Sequence, residues 1–176
     1  MAAAPEAFRY ARSVTIPRTP LAGPAAERRV TTSDPAATRS LGTALASVAR
    51  PGDQLLVWGE LGAGKTQLAK GFGAGLGVTT TISSPTFVLM AEYEGRLPLF
   101  HLDLYRLADA TDAWASGLVD ERQSSGVTLV EWPDRLGGAL PAGRLDVIIA
   151  GTGDEPRTIT LRATDPEHAR YVDAVR

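Results

Sequence analysis

The sequence lacks two residue types altogether, and each absence excludes a class of functional site. None of the 176 residues is cysteine, so disulfides, thiolate metal sites and cysteine nucleophiles are excluded, and the chain suits a reducing cytosol. No residue is asparagine, so the guanine-reading Asn-Lys-x-Asp pattern of GTPases is impossible. Histidine occurs only at His101 and His168, and because no other His or Cys stands at ligand spacing, we expect both to be structural.

Long apolar runs and a strong excess of one charge are also missing. No stretch approaches the roughly 20 consecutive apolar residues that a membrane-spanning helix needs, and no signal-peptide pattern follows the N-terminal arginines. Lys plus Arg number 18 and Asp plus Glu 20, giving a net charge of -2, which does not predict a broad nucleic-acid-binding face. We therefore expect a cytoplasmic protein with no membrane and no DNA partner, whose connection to RNA would have to come through another protein.

Lysine is scarce, and one of the two lysines lies in a glycine-rich segment. Gly59–Thr66 reads Gly-Glu-Leu-Gly-Ala-Gly-Lys-Thr between a strand-like run and a helical pattern, which is the P-loop motif in its usual context. Its backbone N–H groups would surround phosphate, Lys65 would reach the β and γ phosphates, and the Thr66 hydroxyl would bind Mg²⁺. A chance glycine-rich turn is the alternative, which the intact pattern disfavours. The predicted nucleotide contacts are Gly59, Glu60, Leu61, Gly62, Ala63, Gly64, Lys65, Thr66 and Gln67.

The chain divides into an extension and one domain. Residues 1–29 are rich in Ala, Pro and Arg, and we expect a flexible or loosely attached segment, although Ser13–Ile16 could add a short edge strand. Residues 30–176 would form the P-loop domain, because a chain of this length with 44% hydrophobic residues suits a single core.

The apolar periodicity predicts a mixed α/β protein with the P-loop NTPase fold. Asp34 and Pro35 resemble a helix N-cap and first turn, and Arg50-Pro51-Gly52 ends that helix. We expect a sheet that is parallel at its centre, antiparallel strands flanking it, and helices on both faces. The other predicted elements are strand Gln54–Trp58, helix Lys65–Leu76, an antiparallel pair Phe87–Tyr93 and Leu97–Leu104, helix Asp109–Trp114, strands Val127–Trp132, Leu145–Ala150 and Thr158–Leu161, and helix Glu167–Val175.

Two predicted strands end in a carboxylate. Phe100–Asp103 ends with Asp103 and Val127–Glu131 ends with Glu131, both where the strands should emerge near the phosphate end of the sheet. Either side chain could hold Mg²⁺ or orient the attacking water. Taken singly, each acid could equally be a solvated or salt-bridged loop residue.

A few further residues allow two interpretations each. Thr86 in Ser-Pro-Thr is either a switch-like threonine that senses Mg²⁺ and the γ phosphate or the start of a strand after an ordinary turn. Trp132 would stack at a nucleotide or partner surface or close the core. Arg106 and Arg157 are candidates to contact phosphate or base, and either could be a surface residue.

Four segments in the same order and spacing resemble the bacterial TsaE (YjeE) family, the ATPase subunit of tRNA threonylcarbamoyladenosine biosynthesis. The resemblance runs from about Val30 to about Leu161. It rests on the P-loop, Ser84–Phe87, His101–Leu107 and Glu131–Pro133.

The resemblance implies a P-loop ATPase that is weak alone and depends on partners. The expected partners are a TsaD-like threonylcarbamoyl transferase and a TsaB-like scaffold, with tRNA reached indirectly, and ATP hydrolysis would reset that complex between turnovers. The family's catalytic positions would fall on Lys65, Asp103, Glu131 and Thr86, with Thr66 and Glu131 on the metal. Asp34–Thr38 would lie near the base.

Two other functions remain open, and the chain departs from the family pattern in places. One alternative is a P-loop small-molecule or nucleotide kinase, for which no lid-like arginine cluster is evident. The other is a binding module whose conformation is locked by bound ATP and whose hydrolysis is incidental. Gln67 stands where the family often has a second threonine, the extension lies outside the family core, and Asp109–Gly126 matches only in pattern.

Overall fold

The protein, described here from a computed structural model that covers residues 23–107 and 121–175, is built on one seven-stranded sheet with the strand order β1-β7-β6-β2-β5-β4-β3. The predicted helix Asp109–Trp114 and the possible strand Ser13–Ile16 lie outside these residues. The elements are β1 (Ala26–Thr32), α1 (Pro35–Ala46), β2 (Gln54–Trp58), α2 (Lys65–Gly75), β3 (Met90–Tyr93), β4 (Leu99–Asp103), β5 (Val127–Glu131), β6 (Leu145–Ala150), β7 (Arg157–Ala163) and α3 (Ala169–Asp173), with short 3-10 helices at Glu121–Ser125 and Pro133–Ala139.

The centre of the sheet is parallel, as the sequence predicts. Strand β2 lies between β5 and β6 and is parallel to both, and β4 extends the parallel set beside β5. The flanking pairs β3–β4, β6–β7 and β1–β7 are antiparallel. The central strands are buried on both faces, which explains why they read as continuous apolar runs.

Helical segments cover both faces of the sheet. Alternate residues of β2 point to opposite sides, so that Leu55 joins the cluster under α1 and α2 while Leu56 joins the cluster on the other face. The first cluster contains Leu45 and Phe72 from the two helices, and the second contains Leu136 from the 3-10 helix Pro133–Ala139. The predicted mixed α/β fold is therefore confirmed.

Helix α1 begins where its capping residues place it. The Asp34 Oδ1 atom accepts a hydrogen bond from the Ala37 N–H at 2.8 Å, and Pro35 occupies the first turn. This backbone hydrogen bond, helped by the Ser33 hydroxyl, holds the pKa of Asp34 below its usual value. Helix α1 then crosses α2 at backbone contact, because a Cβ atom at Gly71 would lie only 1.9 Å from the Arg39 carbonyl oxygen.

Helix α3 is anchored to the start of β2 by a buried carboxylate. Asp53 accepts hydrogen bonds from the Arg170 guanidinium and, at 2.5 Å, from the Tyr171 hydroxyl. The nearby His168 ring donates or accepts at Asp165 Oδ2, 2.8 Å from its Nδ1. This group of charges lies away from the P-loop and ties the C-terminal segment to the core.

Several boundaries differ from the sequence-based expectation. Strand β1 begins at Ala26 and pairs along its whole length with β7, so the first residues of the sheet fall before the expected domain boundary after residue 29. Strand β3 begins at Met90 rather than Phe87, because residues 86–88 form a turn and Leu89 adopts φ +66°. Helix α3 is shorter than Glu167–Val175. In the described ranges, no helix is both long enough and apolar enough to cross a membrane.

Candidate functional site

The carboxyl ends of three parallel strands converge at one edge of the sheet. The P-loop follows β2 directly, and Asp103 and Glu131 end β4 and β5 as register partners. Glu131 is also the register partner of Val57 in β2. The structure therefore brings both predicted acids to the edge where the P-loop begins, which is where ligands bind in sheets of this kind.

The P-loop glycines adopt conformations that other residues rarely reach. Gly59, Gly62 and Gly64 have φ of 150°, 79° and 107°. A Cβ atom at Gly59 would also lie 2.8 Å from the Ile149 carbonyl oxygen. Gly64 then caps α2, so the free N–H groups and the positive end of this helix face the loop, as phosphate binding requires.

Lys65 is buried at the start of α2. Its Nζ donates to the carbonyl oxygens of Gly59 and Glu60, each at 2.8 Å, and lies 3.7 Å from the ring centroid of Trp132. Burial lowers the pKa of Lys65 to about 8, and the more distant charges of Glu131 and Asp103 oppose that effect only in part. The ammonium is thus held at the P-loop with its charge only partly compensated, which suits an incoming phosphate.

A second group of contacts joins the P-loop to β5. The Thr66 hydroxyl lies 2.9 Å from Glu131 Oε1 and 3.1 Å from Oε2. His101 Nε2 lies 2.9 Å from the same Oε1 atom. Glu131 and His101 are both buried, so this carboxylate is oriented by side chains from α2 and β4 together.

Asp103 holds the segment that contains Thr86. The Thr86 hydroxyl lies 2.6 Å from Asp103 Oδ2, and the Ser84 hydroxyl donates to the same oxygen. The Tyr105 N–H donates to Oδ1 at 3.0 Å, and the Asp103 N–H donates to the carbonyl of Leu89. The serine-proline-threonine turn is therefore tied directly to a strand-end acid rather than standing apart from the site.

Trp132 contacts the site from the core rather than from a surface. Its side chain is 7% exposed and covers the Lys65 ammonium, with the Tyr105 ring centroid 4.9 Å away. Its backbone has φ +61°, which is a strained conformation for a bulky residue and turns the chain directly after Glu131. This placement supports the interpretation of Trp132 as a core residue.

The remaining predicted contacts lie at the margins of the P-loop. Arg157 donates from Nε to the Ala63 carbonyl at 3.0 Å and from Nη2 to the Gly153 carbonyl at 2.6 Å, so here it braces the loop through backbone oxygens. The Gln67 Oε1 atom accepts from Arg39 Nη1 at 2.6 Å. Arg106 is exposed, with its guanidinium carbon 4.2 Å from the Phe87 ring centroid.

The side chains at the site fit a Mg²⁺ ion that is shared with a nucleotide. The available donors are the hydroxyls of Thr66, Ser84 and Thr86 and the carboxylates of Asp103 and Glu131, all of them the hard oxygen ligands that Mg²⁺ prefers. Within residues 23–107 and 121–175, no cluster of three or more His, Cys, Asp or Glu could hold a metal alone. Phosphates and water would have to complete the coordination.

The sequence did not single out two residues that the structure brings to this site. His101 was expected to be structural, yet its ring contacts Glu131. Its spacing of two from Asp103 on one strand places both side chains on the same face, a signal that was available in the sequence. Arg39, which binds Gln67, carried no comparable pattern because it reaches α2 from another helix.

Comparisons with known proteins identify the family of this chain. A family model described as "Threonylcarbamoyl adenosine biosynthesis protein TsaE" matches residues 32–159, which include the P-loop and both strand-end acids. A protein of Bacillus subtilis (strain 168) named tRNA threonylcarbamoyladenosine biosynthesis protein TsaE is 43% identical over 133 residues, covering 75% of this chain and 83% of that relative. A protein of the same name from Treponema pallidum (strain Nichols) is 38% identical over 120 residues, covering 68% of this chain and 89% of its own.

A solved structure gives the same result. The crystal structure of Bacillus subtilis YdiB superimposes with a TM-score of 0.70 at 35% sequence identity, covering 84% of this chain and 93% of that one. The family match extends over most of the chain and confirms the resemblance seen in the motifs. This chain belongs to the TsaE family.

Proposed function

We propose that this protein binds and hydrolyses Mg²⁺-ATP as the ATPase subunit of the machinery that forms threonylcarbamoyladenosine in tRNA. The observation that carries the proposal is the contact of the P-loop hydroxyl of Thr66 with the strand-end carboxylate of Glu131, at 2.9 Å. That contact joins two oxygen-bearing side chains near the buried ammonium of Lys65, which supports a site for Mg²⁺ and phosphate. Membership of the TsaE family, whose relatives are named for this tRNA modification, supports the biological role.

The P-loop would bind the phosphates before any chemistry takes place. Its backbone N–H groups and the N-terminus of α2 attract the anion, and Lys65 neutralises charge on the β and γ phosphates. Thr66 and Glu131 would hold Mg²⁺, which supplies further charge neutralisation at the phosphates when it is bound. The lack of asparagine favours ATP over GTP.

Asp103 would act on the water molecule that attacks the γ phosphate. Its Oδ2 atom holds the Thr86 hydroxyl at 2.6 Å, so the acid and the switch-like threonine form one unit. Arrival of the γ phosphate would compete for the hydroxyl and leave Asp103 available to orient the attacking water. Gly59 to Gln67 and Arg157 complete the proposed nucleotide site, with Arg157 acting through the P-loop backbone.

The partners would cover an apolar margin of this site. Leu61 at the tip of the P-loop is 72% exposed, and Phe87 and Val88 beside Thr86 are 83% and 69% exposed. Large apolar side chains in such positions mark interaction surfaces. We propose that a TsaD-like transferase and a TsaB-like scaffold bind here, that tRNA is reached only through them, that hydrolysis resets their complex, and that the protein works in the cytoplasm.

The direct test is ATP hydrolysis by the purified full chain, alone and with the two partners, with Lys65→Ala as the blank. We expect a low rate alone, a rise with the partners, and none with Lys65→Ala. A rate that the partners leave unchanged would contradict the tRNA-linked role and return a P-loop kinase to consideration. Glu131→Gln distinguishes a hydrolysing enzyme from a binding module whose conformation is simply locked by bound ATP. If the variant binds ATP and still supports full partner function, hydrolysis is incidental.

A further inference from the structure

His101 occupies a position where an apolar residue would be expected. It is the third residue of β4, a strand whose five side chains are all buried, and it is fully buried itself. Its register partners are Ala91 in β3 and Leu129 in β5, both apolar. Its ring nevertheless directs Nε2 to Glu131 Oε1 at 2.9 Å.

Glu131 needs a second donor if its carboxylate is to stay in one orientation. The Thr66 hydroxyl lies near both carboxylate oxygens, but it has a single hydrogen to donate. A carboxylate held by one hydroxyl can turn about its terminal bond. The His101 ring adds a contact from a different element, and the two contacts together fix the plane of the Glu131 carboxylate beside the P-loop.

The remaining ring nitrogen indicates how His101 is protonated. A carboxylate oxygen accepts hydrogen bonds, so the contact with Glu131 is a hydrogen bond when Nε2 carries the proton. The Nδ1 atom is buried and has no hydrogen-bond partner among the residues that the structure describes. An unpartnered polar atom in a core lowers stability, which a leucine at this position would avoid. Among the residues that the structure describes, the contact with Glu131 is the interaction that requires a ring nitrogen at this position.

We propose that His101 is a positioning residue for the ATPase reaction, whose Nε2–H holds Glu131 in the orientation that serves Mg²⁺ and Thr66. The inference rests on the proposed function. It assigns His101 no contact with substrate: its effect passes entirely through the Glu131 carboxylate, in the way that partners behind metal ligands orient them elsewhere.

The first test compares two substitutions in the full chain. His101→Leu keeps the bulk and removes the donor, whereas His101→Gln keeps an N–H at a similar reach. We expect His101→Leu to lower kcat by about 10- to 100-fold and to raise the Mg²⁺ concentration needed for half-maximal nucleotide binding, with His101→Gln restoring most of both. In a Glu131→Ala background, His101→Leu should have no further effect on kcat or on the Mg²⁺ concentration needed for half-maximal nucleotide binding.

The second test does not depend on activity. The chain has only two histidines, so ¹⁵N-histidine NMR can resolve each ring, with His168→Gln assigning the signals. We expect His101 to carry a proton on Nε2, with its Nε2 signal moved by Glu131→Ala. An Nδ1–H form, or a signal that Glu131→Ala leaves unchanged, would overturn the proposal whether or not His101→Leu folds.

The outcomes separate this inference from the function on which it rests. If wild type and Lys65→Ala bind and hydrolyse ATP equally, the proposed ATPase fails, while the NMR result still decides whether His101 holds Glu131. If wild type is active and Lys65→Ala is not, but a folded His101→Leu matches wild type in kcat and Mg²⁺ dependence, the positioning role alone is wrong. Circular dichroism establishes folding for each variant.

Discussion

Replacing Lys65 by Met should stabilise the nucleotide-free protein while abolishing phosphate binding. Burial lowers the pKa of Lys65 from 10.5 to about 8, so the folded protein holds this proton less tightly than the unfolded chain does. That difference corresponds to about 3 kcal/mol of unfavourable free energy at neutral pH. Methionine has a similar shape and no charge to desolvate.

The hydrogen bonds that the ammonium makes reduce the expected gain. Lys65 donates to two backbone carbonyls, and those acceptors lose a partner in the variant. Each lost bond costs about 1 kcal/mol, so the gain of about 3 kcal/mol falls to a net increase of about 1 kcal/mol in the free energy of unfolding of Lys65→Met at pH 7. Activity and stability are opposed at this residue, as at other functional sites.

The difference in stability between Lys65→Met and wild type should depend on pH within a defined interval. The unfolded chain binds more protons than the folded chain between pH 8 and 10.5, so wild-type stability rises relative to Lys65→Met across that interval. Below pH 8 the stability difference in favour of Lys65→Met has its full value. Above pH 10.5 this advantage should be gone, because the lysine is then neutral in both states and wild type still has the two hydrogen bonds that the variant lacks.

Denaturant unfolding at pH 7 and pH 10.5 measures both effects. Lys70→Met is the matched control, since it replaces the other lysine, which lies on the same helix and is half-buried. Adding ATP and Mg²⁺ at pH 7 should stabilise wild type and leave Lys65→Met unchanged. The reasoning is refuted if Lys65→Met is less stable than wild type at pH 7, or if the gap between them does not close with rising pH.

Three further substitutions test other parts of the account. Gly71→Ala should destabilise the protein by about 1 to 3 kcal/mol in thermal unfolding, because its Cβ atom would lie 1.9 Å from a carbonyl oxygen of α1; wild-type stability would show that the helices part freely. Asp103→Ala should leave ATP affinity within about threefold but lower turnover by 100-fold or more; normal turnover would remove the acid from the mechanism. Asp53→Ala should cost about 3 to 5 kcal/mol, since Arg170 and Tyr171 lose a buried acceptor, while the ATP affinity of the folded variant stays unchanged in titration.

Much of the fold is encoded locally and could be predicted for that reason. Asp34 and Pro35 set the start of α1 through a side-chain cap and a fixed φ angle, both properties of neighbouring residues. The apolar run Gln54–Trp58 predicted β2 to the residue, because a central parallel strand is buried on both faces.

The differences arise where distant residues determine the structure. The first half of β1 is mostly exposed and shows no apolar alternation, so only its pairing with β7 makes it a strand. The start of β3 is displaced because Leu89 turns into the left-handed region, where its carbonyl accepts the Asp103 N–H. Neither contact can be inferred from adjacent sequence.

The candidate site shows the same division. The P-loop and the two strand-end acids followed from motif and strand order, and the structure brings them to one edge. The roles assigned to them stay predictions. The contact of His101 with Glu131 required knowing that β4 and β5 are parallel neighbours in a specific register, and the bracing of the P-loop by Arg157 required the position of β7.

The most direct test of the central claim is tRNA threonylcarbamoyladenosine formation over many turnovers, in a reaction with the TsaD-like and TsaB-like partners, tRNA, ATP and the threonylcarbamoyl donor. The account predicts that the wild-type chain sustains repeated turnover, whereas Lys65→Ala and Glu131→Gln allow at most one round. The account is contradicted if the same amount of product forms with wild type, with either variant and without the chain.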